Sequence, residues 1–226
     1  MKILIVSATK LEIEPLLVNF VETNQVNQKL REYSFKKLDI DVLVTGVGMV
    51  PTAFWLADTL SRNTYQLALN IGICGSFNNT TPLGEVLNIT SDCFSEMGAE
   101  DGESFLAMAD LDLLEDDDFS FNKGQIKNVF SFEHKAISSL KKVSGVTVNK
   151  VHGEVNSIEL TKQLFCPDVE SMEGASFFYA CLTHQLKNLQ LRAVSNYIEK
   201  RNKENWNIPL AVKNVCHTTF QLLQHL

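Results

Sequence analysis

The sequence predicts an α/β protein built as a three-layer α/β/α sandwich, with one central mixed sheet and helices on both faces. Three observations carry this. Apolar, strand-like runs alternate along the chain with segments of helical character. The runs 3–7, 66–73 and 189–194 are too apolar to leave one face in water, which is how strands covered on both sides read. A glycine-rich break, Gly46-Val47-Gly48, separates a strand from a helix that opens near Pro51, where proline is tolerated in the first turn.

In chain order, Lys2–Ser7 is the first buried strand. A helix follows Thr9, with Leu11, Leu16, Leu17 and Phe20 as its apolar stripe. Segments 30–36 and 38–45 read as two strands, and 51–60 as a helix. Strand 66–73 ends in Gly72-Ile73-Cys74-Gly75-Ser76, and a further strand covers 84–90 after a turn-rich loop. Residues 96–130 are mixed and acidic, with four consecutive acids at 115–118, and read as a solvated, flap-like excursion. Helix at 134–142, strand at 145–151 and a short helix at 157–164 follow. Then come a helix opening at Glu173, the strand 189–194, and a closing helix at 209–223.

The 226 residues, 45% hydrophobic and 21% charged, suit one globular domain spanning the chain. A formal charge of −7 argues against nucleic acid and anionic membranes as partners. No run approaches the roughly 18 apolar residues of a membrane span. The chain opens directly into a strand, without the basic and apolar regions of a signal peptide, so a cytoplasmic protein is expected. Five scattered cysteines without a CxxC read as reduced, mostly buried thiols, and five dispersed histidines form no metal-ligand cluster. No metal or cofactor is expected.

Several residues invite a chemical reading, each beside a plainer one. Glu12 completes Thr9-x-x-Glu12, the spacing of a capping box; it also lies just past the first strand, where ligands of open α/β sheets bind. Gly46-x-Gly48 resembles half of a dinucleotide fingerprint, but lacks the third glycine and the downstream acid, so it reads more plainly as a tight strand-to-helix turn. Glu173 is a helix-terminal charge, stabilised there by the dipole, yet its neighbours are apolar and a charge in such company needs a partner or a task. Arg192 falls inside an apolar strand; if that strand is central the guanidinium must be paired, with Glu12 and Glu173 as candidates. Ser195-Asn196 follows the same strand and reads either as a turn or as a polar pair presented to a cleft.

With Glu12, Gly72-x-x-Gly75, Met172-Glu173 and Ser195-Asn196 in this order, the chain resembles the purine nucleoside phosphorylase/nucleosidase superfamily nearly end to end. Within it the chain is similar to the 5′-methylthioadenosine/S-adenosylhomocysteine nucleosidases and, more closely, to the futalosine hydrolases. Ser195-Asn196-Tyr197-x-Glu199, Arg201-Asn202 and Trp206 carry the latter likeness. The resemblance implies a nucleoside phosphorylase/hydrolase-like fold, a purine nucleoside as the small-molecule partner, and a homodimer or higher homo-oligomer. It also implies roles: Met172 and Glu173 hold the ribose, Glu12 activates water, Arg192 helps hold that water, and Asn196 faces the departing purine. Gly75, Ser195, Val155 and Tyr197 are candidates to line the substrate site.

Asn196 stands where the methylthioadenosine nucleosidases carry an aspartate. A carboxylic acid can protonate purine N7 and an amide cannot. The amide offers one acceptor and two donor hydrogens, so its oxygen can accept from a protonated N7 while its nitrogen donates to a 6-oxo group. That pattern fits hypoxanthine and misfits adenine. A Glu12 with an ordinary pKa of about 4.3 would be ionised at neutral pH. The alternatives are an adenine-type nucleosidase, a phosphorylase, a non-catalytic nucleoside-binding protein and a dinucleotide oxidoreductase.

Overall fold

The computed structural model describes all residues of the chain except 103, 109, 112–123 and 131. The acidic run at 115–118 lies outside the described residues. Twelve strands and five α-helices are described: β1 (Lys2–Ser7), α1 (Lys10–Leu17), β2 (Val21–Gln25), β3 (Leu30–Phe35), β4 (Leu38–Val44), α2 (Met49–Arg62), β5 (Leu67–Ser76), β6 (Val86–Asp92), β7 (Gly98–Asp101), β8 (Ser104–Ala107), β9 (Ile126–Lys127), β10 (Lys142–Thr147), α3 (Val155–Phe165), β11 (Val169–Ser171), α4 (Gly174–Thr183), β12 (Asn188–Tyr197) and α5 (Ile208–Leu223). Among the described residues no helix is long and apolar enough to cross a membrane.

The main sheet runs β11-β10-β6-β12-β5-β1-β4-β3-β2, with β9 on β6, and it is mixed. β1 pairs parallel with both β4 and β5, whereas β12 is parallel to β5 and antiparallel to β6. Side chains of successive strand residues point to opposite faces, and β1 shows the consequence. Ile3 and Ile5 pack with Ile13 and Leu16 of α1 and with Val212 and Val215 of α5. Leu4 and Val6 pack on the other face with Leu56 of α2 and Phe177 and Phe178 of α4. The strand is apolar throughout because both faces are covered, which is the layering the sequence predicts.

One end of the sheet closes on itself. β11 pairs parallel with β10 and also antiparallel with β5, so β5, β12, β6, β10 and β11 form a ring. β5 therefore pairs with three strands, β1, β12 and β11.

Some boundaries differ from the sequence expectation. The helix expected at 134–142 is absent; residues 135–140 form turns that bury Ile137 without a continuous helix. The strand expected at 145–151 is β10, three residues earlier, because the chain leaves the sheet after Thr147. Leu11 is 60% exposed, and α1 buries Glu12, Ile13 and Leu16 instead. β12 continues through Ser195, Asn196 and Tyr197, so these residues belong to the strand rather than to a turn after it. Four cysteines are buried and Cys166 is exposed; all five are free thiols.

Candidate active site

The site is built on β5. Thr9 caps α1 by the full capping box: its Oγ1 accepts from Glu12 N, and Glu12 Oε2 accepts from Thr9 N at 3.0 Å and Thr9 Oγ1 at 2.8 Å. That occupies one carboxylate oxygen. The other, Oε1, accepts from Ile73 N of β5 at 3.2 Å. Oε2 thus completes the cap while Oε1 ties α1 to β5, and Glu12 is 5% exposed.

Arg192 enters from β12 and is 2% exposed. Its Nη1 donates to Glu173 Oε2 at 3.2 Å and to Ile73 O at 3.3 Å; its Nη2 donates to Asn70 Oδ1 at 2.7 Å. The sequence leaves Glu12 and Glu173 as candidate partners, and the hydrogen-bonded ion pair is with Glu173. The second oxygen of Glu173 accepts from Gly48 N at 3.0 Å. Gly48 has φ of +105°, a conformation that favours glycine, and this turns its amide toward the carboxylate. At this turn the Gly48 amide thus serves an internal anion, the Glu173 carboxylate. Glu173 itself is the N-cap of α4 and 5% exposed.

Gly72 explains how the charges approach. A Cβ there would lie 2.8 Å from both Arg192 Nη1 and Glu12 Oε1. Burial pushes the Glu12 carboxyl above its ordinary value, with Glu173 adding to the rise and Arg192, Thr9 and Ile73 opposing it. The expectation of an ordinary pKa is corrected accordingly: a glutamate held out of water titrates higher.

Further along β5, Gly75 sits between two residues in register, Glu170 of β11 and Asn196 of β12. The register of β12 on β5 shifts between Val194 and Asn196, so Asn196 rather than Ser195 opposes Gly75. Such bulges re-aim side chains next to sites. Asn196 Oδ1 accepts from Ser195 Oγ at 2.8 Å, and its Nδ2 donates to Tyr197 O at 3.0 Å. Gly75, Asn196 and Tyr197 line a cavity of about 120 Å³ together with His152, Glu170 and Trp206. Glu170 accepts from His152 N at 3.0 Å and contacts the His152 ring, while the far ring nitrogen meets Thr161 Oγ1 at 3.0 Å.

The structure thus brings Glu12, Arg192 and Glu173 into one buried cluster and places Gly75 of β5 with Asn196 and Tyr197 of β12 around a cavity. Ser195 is buried behind Asn196, and Met172 is half-buried beside Glu173 in the chain. Val155 is not brought in: it opens α3 with 65% of its surface exposed, and Val151 and Gly153 line the cavity instead. Sequence reasoning missed Asn70 and Gln190, which accept from Arg192, Asp92 behind Gln190, and the pairing of His152 with Glu170. The available signal was period two: Gln190 and Arg192 are polar residues on one face of an otherwise apolar strand.

The chain belongs to the phosphorylase superfamily, whose family model matches residues 2–225. Among individual relatives, a futalosine hydrolase of Thermus thermophilus is 28% identical over 181 residues, covering 80% of each chain. A 5′-methylthioadenosine/S-adenosylhomocysteine nucleosidase of Buchnera aphidicola is 23% identical over 237 residues, covering 93% of this chain and 91% of its own. The native structure of futalosine hydrolase of Helicobacter pylori shares the fold with a TM-score of 0.77 at 15% identity, covering 100% of this chain and 98% of its own.

Proposed function

We propose that the chain is a nucleosidase that hydrolyses the N-glycosidic bond of a 6-oxopurine nucleoside. Futalosine is the proposed substrate, giving hypoxanthine and dehypoxanthinyl futalosine, a step of the alternative menaquinone route. The observation that carries this reading is the Asn196 amide at the cavity. Oδ1 accepts from Ser195 and Nδ2 donates to Tyr197 O, so one lone pair and one N–H remain. Those two match a protonated N7 and a 6-oxo group side by side. The Thermus thermophilus relative supports the same substrate.

In this mechanism Glu173, held by Gly48 N and Arg192, accepts from the ribose hydroxyls with its remaining lone pairs. Water sits over Gly72 between Glu12 Oε1 and Arg192 Nη1. As the C1′–N9 bond breaks, its electron pair passes to the purine, which takes a solvent proton at N7 and is held there by Asn196 Oδ1. The sugar carries the oxocarbenium-like charge until the water oxygen bonds to C1′ and Glu12 accepts its proton, the carboxylate logic of glycoside hydrolysis.

The same reading places the enzyme in the cytoplasm as a single-domain subunit of a homodimer. Exposed Val47, Val50 and Phe54, at 54%, 73% and 62%, form an apolar stretch at the start of α2 that supports self-association. Light scattering of the purified protein tests the oligomeric state.

An adenine-type nucleosidase acting on methylthioadenosine is the second reading, supported by the Buchnera aphidicola relative that spans 93% of this chain. One experiment separates them. The enzyme is incubated with futalosine, inosine, methylthioadenosine and S-adenosylhomocysteine, with and without phosphate, and the released base is identified by chromatography. Hypoxanthine released from futalosine without phosphate is the expected result. Adenine as the dominant product overturns the 6-oxopurine assignment, and a phosphate requirement overturns hydrolysis.

A further inference from the structure

Behind the Glu12–Arg192–Glu173 cluster lies a further buried carboxylate that the mechanism does not use. Asp92, at the end of β6, is 2% exposed. Its Oδ1 accepts from Cys93 N and from Thr147 Oγ1, both at 2.9 Å. Its Oδ2 accepts from Gln190 Nε2 at 3.3 Å, and Gln190 Oε1 then faces Arg192 Nη2 at 3.5 Å. Thr147 Oγ1 in turn accepts from Ala175 N at 2.8 Å, two residues after Glu173. The contacts form a closed circuit: Asp92 to Gln190, Gln190 to Arg192, Arg192 to Glu173, and Glu173 through the first turn of α4 and Thr147 back to Asp92. Gly174 makes the approach feasible, since a Cβ there would stand 2.1 Å from Asp92 Oδ2 and 2.5 Å from Gln190 Oε1.

We infer that Asp92 is a positioning residue for the reaction: it sets which way the Gln190 amide faces, and through it fixes the Arg192 guanidinium against Glu173. The argument is one of donor and acceptor polarity. An ionised carboxylate only accepts, so Gln190 must present its NH₂ to Asp92 and its oxygen to Arg192. Burial pushes Asp92 up to about 6, still below neutral pH, where it is the ionised acceptor. Arg192 uses that oxygen for the second N–H of Nη2, whose first goes to Asn70 Oδ1. In Asp92→Asn the oxygen keeps Cys93 N and Thr147, so the new NH₂ faces Gln190. Gln190 must reverse, and its NH₂ then opposes the guanidinium. Gln190→Glu in the same chain restores acceptors toward both neighbours and returns the lost negative charge.

The inference rests on the nucleosidase reading for its kinetic arm only. Asp92→Asn is expected to lower kcat/KM for the nucleoside that wild type cleaves fastest by roughly 10- to 100-fold, the scale of a small misplacement. Asp92→Asn/Gln190→Glu is expected to recover most of it. Gln190→Leu, which leaves Asp92 its other two bonds, is expected to lose as much as Asp92→Asn and serves if that variant does not fold. A folded Asp92→Asn or Gln190→Leu within twofold of wild type, or a double variant no better than Asp92→Asn alone, overturns the inference. A crystal structure of Asp92→Asn, or of Gln190→Leu in its place, decides placement independently of substrate. A displaced guanidinium supports the inference, and a guanidinium superimposed on wild type overturns it. If wild type cleaves no nucleoside, the functional reading fails and the crystal structure still decides this one.

Discussion

The Glu12 carboxylate and the Arg192 guanidinium converge on one point, the empty Cβ position of Gly72, from which Glu12 Oε1 and Arg192 Nη1 each lie 2.8 Å away. The two groups come from elements 180 residues apart in sequence, and the missing side chain gives them common ground. Gly72→Ala puts a methyl group where neither can yield without leaving its partners. The variant is expected to lose kcat/KM by about 10²-fold and stability by about 1–3 kcal/mol from overpacking. Base release and thermal melting check the two effects separately.

Glu12→Gln is expected to lower turnover by about 10²–10⁴-fold, the usual contribution of a positioned general base. A folded variant with wild-type turnover removes Glu12 from the chemistry.

The pH profile carries the signature of its burial. A raised carboxyl pKa means the ionised base is lost at a higher pH than for an exposed glutamate. As pH falls, kcat/KM should therefore decline on a limb centred above about 4.3. A limb at or below that value contradicts the assignment.

Arg192→Met leaves Glu173 buried with Gly48 N as its remaining hydrogen-bond donor among the described contacts. Breaking a buried pair from one side costs about 3–5 kcal/mol, to be read by urea unfolding. Because Arg192 also lowers the Glu12 carboxyl, any residual activity should show its acid limb displaced further upward.

Asn196→Asp should raise kcat/KM for methylthioadenosine relative to futalosine by about tenfold, the scale of one hydrogen bond gained on one substrate and lost on the other. An unchanged ratio would break the link between this amide and the 6-oxo group.

Asp92 also makes a stability prediction. Its folded pKa is raised, by burial first, to about 6, against about 3.9 unfolded. Folding therefore favours the protonated form. That contribution is fully present below about 3.9 and is lost as pH rises through about 6. The melting temperature of wild type minus that of Asp92→Asn should fall between pH 4 and pH 7. A difference that is flat or rises over that window contradicts the buried-carboxylate account.

The layers of the fold were legible because β1 and β5 are mostly apolar on both faces and β12 carries an apolar run, and the helices between them leave few other ways to cover such strands. β2 was not legible: all five of its residues are exposed, so no alternation marks it. β11 is three residues long and exists by pairing with strands distant in sequence. Ser195 and Asn196 looked like a turn because polar residues usually leave a sheet, but here the strand ends in a cavity. Ile137 and Leu140 have helical spacing, yet no continuous helix forms around them. Glu12, Glu173 and Arg192 stood out as charges in apolar company. Asp92 and Gln190 did not, since their meaning lies in a contact between residues 98 apart in sequence.

Because β5 is flanked by β1, β12 and β11, it has no free edge along which to slide. An added or deleted residue between Gly72 and Gly75 would reverse the facing of one glycine relative to the other, swinging a side chain into either the charged cluster or the cavity. Length changes should therefore be purged from this segment, and drift toward new nucleosides should proceed by replacements on the neighbouring strands.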